Sequence, residues 1–278
     1  LVGSEMCIRD RHKNFLAIGL LALALFSCKK DNNDVVIRPY TEVAPENDRD
    51  IQTYLKTHFA TLDSDNNVVI DTISGANASK TSLFNNTDLK RKVLKVKIND
   101  NTYLDHTMYY IIFKEGNGEQ ATVADRSYVL YKGQTLKNKV FENAKNFTQN
   151  NWLDLLGDGT RNNSGTIYGF REAVALLKAT TNELSSNQDG TLALPENYGV
   201  GLFFMPAALA YYTGASNIPA YSPVIFEIKL LKTEHIDHDA DGIPSINEIN
   251  HQSDGIISFP DCNSNGVVDY LDSRKCKN

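Results

Sequence analysis

The chain has 278 residues, 34 acidic against 28 basic side chains, and a formal net charge of −6 at pH 7. This excess of negative charge disfavours nucleic acid as a partner, because phosphate backbones are held by clusters of Lys and Arg. The length leaves room for one full domain with extensions. The sequence contains no glycine-rich phosphate loop and no paired zinc motif, so nucleotide-dependent and zinc-dependent chemistry are not expected.

The first 28 residues have the pattern of an export signal. A short apolar run, residues 15–26, follows a basic start and ends beside Cys28. The run is too short to span a membrane and has the length of a signal-peptide core. It resembles a bacterial lipoprotein signal, which implies cleavage before Cys28, a lipid on its thiol and attachment to a membrane. A buried helix that happens to end in Ser-Cys is the alternative.

The residues on either side of this signal have different characters. Residues 1–11, LVGSEMCIRDR, place acidic side chains ahead of the basic start and resemble the translation of a sequencing adapter. Residues 1–27 are therefore interpreted as a foreign segment plus a signal peptide. Residues 28–48 are polar and charged, which predicts a tether. The charges after Cys28 are similar to those of Bacteroidetes envelope lipoproteins, which implies an outer-membrane location on the periplasmic or surface face.

Residues 49–105 read as a small extension of helix and strand. Apolar side chains recur at helical spacing after Asp50, and Asp48 or Asp50 can cap the helix. These side chains are Ile51, Tyr54, Leu55, His58 and Phe59. Runs rich in β-branched and aromatic residues predict strands near 68–70, 93–98 and 109–114. We expect the extension to pack on the domain that follows, residues 106–233.

The central region predicts an α+β domain. SYVLYKG and PVIFEIKLL have the apolar and aromatic composition of strands that face a core. Between them, GFREAVALLK places Phe170, Ala173, Val174 and Leu177 on one helical face. An antiparallel sheet wrapped around a short helix buries both apolar surfaces. The region also holds many aromatic residues, which form either core alone or the wall of a pocket.

Six motifs in chain order, VLYKG, VFEN, TIYGF, LAYY, NIPAY and IFEIKLL, resemble the FKBP-type peptidyl-prolyl cis-trans isomerases. The resemblance implies a concave apolar pocket that receives a proline side chain and needs no cofactor. The pocket residues that it implies are Tyr131, Phe141, Glu142, Trp152, Ile167, Phe170, Tyr211, Ile218 and Phe226. It also implies that the partners are proline-containing segments of exported proteins, whose folding the enzyme assists.

Three departures from the family pattern concern the mouth of the pocket. Glu142 stands where the family has an aspartate, and Tyr212 stands where it has a glycine. The connection after Lys178 is also much longer than the family needs. A non-catalytic envelope module that binds proline-containing segments therefore stays open as the alternative function.

The C-terminal tail, residues 234–278, contains two loops with calcium-ligand spacing. In DHDADGIPSINE the predicted ligands are Asp237, Asp239, Asp241, Ile243 and Glu248. In DCNSNGVVDYLD they are Asp261, Asn263, Asn265, Val267 and Asp272. The pair resembles thrombospondin type 3 repeats, which implies structural Ca²⁺, with weaker binding at the less charged second loop. An acidic solvated tail with turn residues is the alternative.

Two cysteines, Cys262 and Cys276, flank the second loop. An even pair in an exported protein predicts a disulfide, which stabilises a loop of this length by about 3 kcal/mol in the chain-entropy model. A zinc site is disfavoured because no histidine lies at ligand spacing from them.

Overall fold

The computed structural model describes residues 37–145, 151–186 and 192–274. The chain divides into two units at residue 36, and all the described residues belong to the unit that begins at Ile37. The predicted signal peptide, Cys28 and Cys276 lie outside the described residues. Among the helices that are described, none is long and apolar enough to cross a membrane.

Two α-helices occur in the described ranges, α1 at Tyr40–Thr57 and α2 at Tyr168–Val174. The strands in chain order are β1 His58–Leu62, β2 Val68–Thr72, β3 Lys90–Asn99, β4 Thr102–Glu115, β5 Arg126–Thr135, β6 Val140–Ala144, β7 Trp152–Asp154, β8 Ser185–Ser186, β9 Leu192–Ala193, β10 Gly199–Met205, β11 Val224–Glu234, β12 Asn250–His251 and β13 Ile257–Ser258. Single turns of 3₁₀ helix lie at Gly75–Asn77, Leu83–Asn85, Ala207–Leu209, Ser245–Asn247 and Asp269–Leu271.

One large antiparallel sheet carries the fold. Its strand order is β3-β4-β10-β11-β5-β6, and β7 also pairs with β5. The remaining strands form three separate hairpins, β1–β2, β8–β9 and β12–β13. The predicted strands near 68–70, 93–98 and 109–114 are confirmed as parts of β2, β3 and β4. The predicted boundary between residues 105 and 106 falls inside β4, so the N-terminal extension supplies strands to the same sheet.

Both faces of the central strands are buried. Neighbouring side chains of a strand point to opposite faces, so β10 and β11 contribute to two apolar clusters. Phe203 and Phe226 pack in the cluster around α2, whereas Phe204 and Ile225 pack in the cluster around α1. Burial of each of these side chains contributes about 1.5–3 kcal/mol. Both faces of β10 pack against apolar clusters, which explains its apolar sequence GVGLFFM.

Helix α2 packs on the sheet through the face that its sequence predicts. Phe170, Ala173, Val174 and Leu177 are each at most 3% exposed. The helix is shorter than the predicted segment and ends at Val174, so Leu177 packs from the turn that follows. The predicted fold class, α+β with an antiparallel sheet over a short helix, is confirmed.

Helix α1 begins at Tyr40, well before the start predicted near Asp50. Residues 40–48 are therefore helical and are not part of a tether. Their contact with the domain includes Val43, which is 1% exposed, and Asn47, which is 2% exposed. The Asn47 amide donates to the Tyr221 carbonyl at 2.8 Å, and its Oδ1 accepts from the Ala207 N–H at 2.7 Å. A buried asparagine is polar, so hydrophobic periodicity cannot reveal this part of the helix.

The C-terminal end of α1 also differs from the prediction. His58 and Phe59 were expected on the apolar helix face, but they open β1. The His58 ring still stacks on the Tyr54 ring of the last turn, with centroids 3.7 Å apart. The chain therefore changes from helix to strand without an intervening loop.

A buried charge cluster joins three segments that are far apart in the sequence. Glu172 of α2 has no exposed side-chain surface and lies 2.8 Å from Lys92 Nζ of β3 and 2.9 Å from His251 Nε2 of β12. Burial alone would raise the pKa of Glu172, but the hydrogen bond with His251 and the charge of Lys92 outweigh burial and lower it. Beside this cluster the Tyr168 hydroxyl donates to the Asp254 carbonyl at 3.3 Å. The tail is thereby fixed to α2.

We predict that Glu172→Gln destabilises the folded chain by about 3 kcal/mol, because the change leaves the partly buried Lys92 ammonium without its counter-charge. Urea unfolding of residues 29–278 at neutral pH measures this loss. The folded-state pKa of Glu172 is lowered, so its contribution is complete above the unfolded value of about 4.3 and is lost as the pH falls below it. The difference from wild type should therefore shrink on acidification.

The matched control is Glu183→Gln, which removes a carboxylate that is 93% exposed and lies 3.8 Å from Lys232. Its effect should stay within about 0.5 kcal/mol. Equal stability of the Glu172→Gln and Glu183→Gln variants would contradict the proposed role of the buried cluster.

Candidate functional site

An apolar cavity of about 220 Å³ opens on the α2 side of the large sheet. Strands, loops and a helix all contribute to its wall. The lining residues are Tyr131, Leu153, Gly165, Thr166, Ile167, Phe170, Tyr211 and Phe226. Five of them, Tyr131, Ile167, Phe170, Tyr211 and Phe226, are residues that the sequence predicts for the pocket.

The sheet register places the aromatic rings of the wall. Strands β5 and β11 are antiparallel neighbours, and Gly133 lies opposite Phe226. A side chain at Gly133 would overlap the rings of Phe141 and Phe226. Glycine therefore leaves the space in which Phe141, from β6, lies over the sheet. Tyr131 is two residues away on β5 and so faces the same side.

The aromatic rings contact one another edge to face. Phe170 lies 5.1 Å from Tyr131 and 5.4 Å from Phe226, with interplanar angles of 72° and 80°. Phe141 lies 5.6 Å from Phe226 and 5.9 Å from Tyr211. Such pairs are favourable by about 0.5–1.5 kcal/mol beyond the area that they bury. Phe141 thus supports two rings of the wall although it does not line the cavity itself.

The first turn of α2 brings Ile167 and Phe170 to the cavity. The Phe170 N–H donates to the Ile167 carbonyl at 3.0 Å. A Cβ at Gly169 would lie 2.8 Å from Met205 Sδ and 2.9 Å from the Leu209 carbonyl oxygen. Glycine therefore allows the helix to approach the chain just ahead of Tyr211.

The loop that carries Tyr211 is fixed against α1. Asn47 holds Ala207 before the loop and Tyr221 near its end, as described above. Tyr212 turns away from the cavity: its ring stacks on Tyr40 at 4.2 Å, and its hydroxyl donates to the Arg38 carbonyl at 2.7 Å. The family departure at Tyr212 therefore leaves the cavity open. The described part of the long connection after Lys178 also supplies no residue to the wall.

Two hydroxyl groups give the cavity a polar element. Burial raises the pKa of Tyr131 and of Tyr211, and the nearby charge of Glu142 raises both further. Both hydroxyls therefore stay protonated at neutral pH and can donate a hydrogen bond. Glu142 itself is exposed on β6. It acts on the cavity through its charge rather than by lining the wall.

Trp152 does not line the cavity, and Leu153 takes the place predicted for it. In the β5–β7 register Trp152 lies opposite Tyr128, so its ring points to the α1 side of the sheet. The ring packs on Tyr128 at 5.4 Å and on the Arg126 guanidinium at 5.1 Å. A shift of one residue along a strand exchanges the faces, so the register of this short strand decides which side chain is in the wall. The sequence motifs alone do not give the register of β7 against β5.

Ile218 is buried in the α2-side cluster rather than in the cavity wall. Its N–H and carbonyl exchange two hydrogen bonds of 3.0 Å with Ala215. It lines a neighbouring cavity of about 310 Å³ together with Pro219 and the side chains of Lys137 and Lys139.

The acidic residues of the first predicted calcium loop lie close together. Carboxylate oxygens of Asp237, Asp239 and Asp241 lie within 4.8 Å of one another. Asp239 Oδ2 and Glu248 Oε2 are buried and have no hydrogen-bond partner among the described residues. Burial, and then the charges of the three aspartates, raise the pKa of Glu248 to about 7. The loop also adjoins the cavity wall, since His238 Nε2 lies 3.0 Å from Asp154, the residue after Leu153.

The second predicted calcium loop is organised differently. The Asp272 carboxylate accepts hydrogen bonds from the side-chain amides of Asn263, at 2.8 Å, and Asn265, and it pairs with Arg274 at 2.8 Å. These contacts lower the pKa of Asp272. In the second loop the carboxylate at the last ligand position, Asp272, is thus paired with an arginine. In the first loop the corresponding carboxylate, Glu248, has an oxygen with no partner among the described residues.

Cys262 is disulfide-bonded. Its predicted partner, Cys276, lies outside the described residues, so the pairing stays a prediction.

No protein-family model and no curated protein sequence matches this chain. Among solved structures, FkpA from Escherichia coli is similar over 46% of this chain at 25% identity, with a TM-score of 0.33, and the chain spans 48% of FkpA. A peptidyl-prolyl cis-trans isomerase from Pseudomonas syringae is similar over 72% of this chain and 98% of its own, at 15% identity and a TM-score of 0.39. The N-terminal domain of FKBP42 from Arabidopsis thaliana is similar over 51% of this chain and 98% of its own length, at 16% identity and a TM-score of 0.33.

The chain's own geometry defines its class: an α+β domain whose antiparallel sheet and short helix enclose an aromatic-walled cavity with two tyrosine hydroxyls. This is the fold and the kind of pocket that the sequence motifs imply.

Proposed function

We propose that this protein is a peptidyl-prolyl cis-trans isomerase that acts on proline-containing segments of exported proteins. The observation that carries the proposal is the convergence of Tyr131, Ile167, Phe170, Tyr211 and Phe226 on one small cavity. Sites for drug-sized ligands measure about 300–1,000 Å³, so a cavity of about 220 Å³ suits a single side chain. An apolar ring with no hydrogen-bond donor is the side chain that such a wall favours.

The reaction requires rotation about a peptide bond and no covalent chemistry. Loss of amide resonance gives a barrier of roughly 18–20 kcal/mol, so uncatalysed prolyl isomerisation takes tens to hundreds of seconds. A twisted amide is less resonance-stabilised and less dipolar than either planar form. An apolar wall that removes water from the amide therefore binds the twisted form better than the planar forms. This differential binding lowers the barrier.

The chain's residues divide this task between them. Phe170 holds the proline ring from the helix side of the cavity, and Phe226 holds it from the sheet side. The Tyr211 hydroxyl, which forms no hydrogen bond within the part of the chain that the structure describes, is free to donate to a substrate carbonyl. Such a bond fixes the direction of the carbonyl on one side of the proline while the other side rotates.

We predict that residues 29–278 accelerate cis/trans isomerisation of a proline peptide, as measured by NMR exchange. Tyr211→Phe should reduce the acceleration about two- to tenfold, because it removes one neutral hydrogen bond of about 0.5–1.5 kcal/mol and keeps the ring. Tyr211→Ala combined with Phe226→Ala should abolish it. Tyr103→Ala, a change at an exposed tyrosine of β4, is the control and should leave the rate unchanged.

Circular dichroism must show that each variant is folded. A folded wild-type chain without any acceleration would overturn the isomerase proposal. Binding of the peptide by such a chain would then support the non-catalytic module that binds proline-containing segments.

We also propose that lipid on Cys28 holds the protein at the outer membrane, on the periplasmic or surface face. The support is the apolar run 15–26 that ends beside this cysteine. Expression of the full chain in bacteria with an alkyne-labelled fatty acid should give a labelled protein. Cys28→Ser should remove the label, whereas Cys7→Ser should retain it. Equal labelling of the two variants would refute the anchor.

We propose further that the loop 237–248 holds a structural Ca²⁺ that has no part in catalysis. The support is the pair of unpartnered buried oxygens on Asp239 and Glu248 and the raised pKa of Glu248. Calcium–oxygen distances are about 2.3–2.6 Å, so oxygens within 4.8 Å of one another can share one ion. Asp272 already pairs with Arg274, so the second loop should bind more weakly.

We predict that calcium binds to residues 29–278 and raises their melting temperature, since a ligand of the folded state stabilises it by about 2.7 kcal/mol at 100 times its dissociation constant. Glu248→Gln should weaken binding by about tenfold or more, because it removes the carboxylate that closes the shell. Without calcium the same variant should be more stable than wild type, because it relieves repulsion between carboxylates.

Asp272→Asn is the comparison variant and should change the affinity of the first loop little. Calorimetry and thermal unfolding supply both readouts. Absence of any heat of binding and of any thermal shift at millimolar calcium would remove the site.

A further inference from the structure

A second and larger cavity, of about 700 Å³, lies on the opposite side of the sheet from the aromatic pocket. Leu130, one of its lining residues, belongs to the apolar cluster around α1. Three lysines reach it from different strands: Lys114 of β4, Lys145 at the end of β6 and Lys229 of β11. We call this space the lysine cavity. The isomerase proposal uses none of its residues.

Lys229 is the most deeply placed of the three, with 3% of its surface exposed. Its ammonium group donates to the Asp65 carbonyl at 3.0 Å and to Asn67 Oδ1 at 2.9 Å, both in the turn between β1 and β2. Burial lowers the pKa of Lys229, and neighbouring carboxylates, with Glu227 first among them, oppose that effect. A buried ammonium with two neutral acceptors is incompletely compensated.

The other two lysines meet the same turn. Lys145 donates to Asn67 Oδ1 at 3.0 Å and to Glu227 Oε1 at 3.1 Å. Lys114 donates to Asn66 Oδ1 at 3.4 Å, and its ammonium lies 5.3 Å above the Tyr198 ring. Two asparagine side chains therefore receive hydrogen bonds from all three ammonium groups.

The positive charges of the lysine cavity exceed the negative charges that are buried beside them. Glu227, which is 2% exposed, pairs with Lys132 at 3.3 Å and with Lys145 at 3.1 Å. In the described residues Lys114 and Lys229 form no ion pair with a carboxylate within 4.0 Å. The carboxylates of Asp65 and Glu196 also border the cavity, but both residues are exposed and so lie at its rim.

Unused donors accompany this charge. An ammonium group has three N–H donors. Towards described residues Lys229 and Lys145 each use two and Lys114 uses one. Within the part of the chain that the structure describes, each lysine thus keeps at least one donor without an acceptor. Asn66 and the Tyr198 hydroxyl, which are hydrogen-bonded to each other at 3.3 Å, add polar groups beside them.

We propose that the lysine cavity binds a small anion, whose carboxylate or phosphate group is held by Lys114, Lys145 and Lys229. The volume lies in the range of about 300–1,000 Å³ that small-molecule sites occupy. Charge-assisted hydrogen bonds from several ammonium groups are the contacts that hold such an anion. The ligand also stabilises the fold, since it compensates the buried charge of Lys229.

Calorimetric titration of residues 29–278 with inorganic phosphate and with succinate, in calcium-free buffer at constant ionic strength, tests the proposal. Saturable binding of at least one probe is expected, and the stronger of the two identifies the phosphate or the carboxylate class. Lys114→Met should weaken it by at least about tenfold, because a charge-assisted hydrogen bond is lost. Lys90→Met, the same change at an exposed lysine of β3, should leave the affinity unchanged.

Lys114 is partly exposed, so its variant is expected to fold even where Lys229→Met does not. Thermal unfolding supplies a second readout: the bound probe should raise the melting temperature of wild type and of Lys90→Met more than that of Lys114→Met. No saturable binding of either probe at millimolar concentration, or equal affinities of wild type and Lys114→Met, would overturn the proposal.

Discussion

The rest of the structure depends on the burial of both faces of β10 and β11. These strands occupy the middle of the large sheet, so each sends alternate side chains into two different clusters. One set of residues, with Phe226 among them, supports α2 and the aromatic cavity. The other set meets α1 and the β1–β2 hairpin, beside which the lysine cavity lies. The two cavities, of opposite polarity, share β11 and its neighbour β5 as a dividing wall: Lys229 and Leu130 line one, and Phe226 and Tyr131 line the other.

Successive side chains of β11 alternate between the side of the aromatic cavity and the side of the lysine cavity. Phe226, Ile228 and Leu230 face α2, whereas Glu227 and Lys229 face the other side. A strand with charged residues at alternate positions normally has one face in water. Here that face is covered by the turn between β1 and β2, in which the Asp65 carbonyl and Asn67 accept hydrogen bonds from Lys229. The turn between β1 and β2 is polar, as is the face of β11 that it covers.

The sequence contains the information for those parts of the fold that rest on periodicity. The apolar face of α2 follows from helical spacing, and the strands that carry Tyr131 and Phe226 follow from their composition. The start of α1 was not predicted in this way, because the polar Asn47 interrupts the apolar face between Val43 and Ile51. The exchange of Trp152 for Leu153 depends on the register of β7, and register is a property of paired strands rather than of a single motif.

The lysine cavity was also beyond sequence reasoning, for a related reason. Lys114, Lys145 and Lys229 are separated along the chain, and each sits in a segment whose lysines read as solvent-exposed. Only the pairing of the neighbouring strands in the order β4-β10-β11-β5-β6 brings them to one place. The aromatic pocket is equally dispersed, yet it could be anticipated because its motifs resemble those of a known family.

The tail is part of this architecture rather than an appendage. His238 lies between two of the clustered aspartates and contacts Asp154, next to Leu153 of the cavity wall. His251 contacts Glu172, two residues after Phe170. Both walls of the aromatic pocket thus have a neighbour in the tail. These two contacts fix the tail beside the pocket wall and beside α2.

The position of β11 also determines when the protein can fold. It is the last strand of the large sheet in the sequence, yet it lies between β10 and β5. Its pairing with β5 closes a long segment of chain, and that entropy is lost before any contact is gained. Until residue 234 has been synthesised, β5 and β10 present unpaired edges that other strands can join. The incomplete chain is therefore most exposed to pairing with other strands at the two edges that β11 later covers.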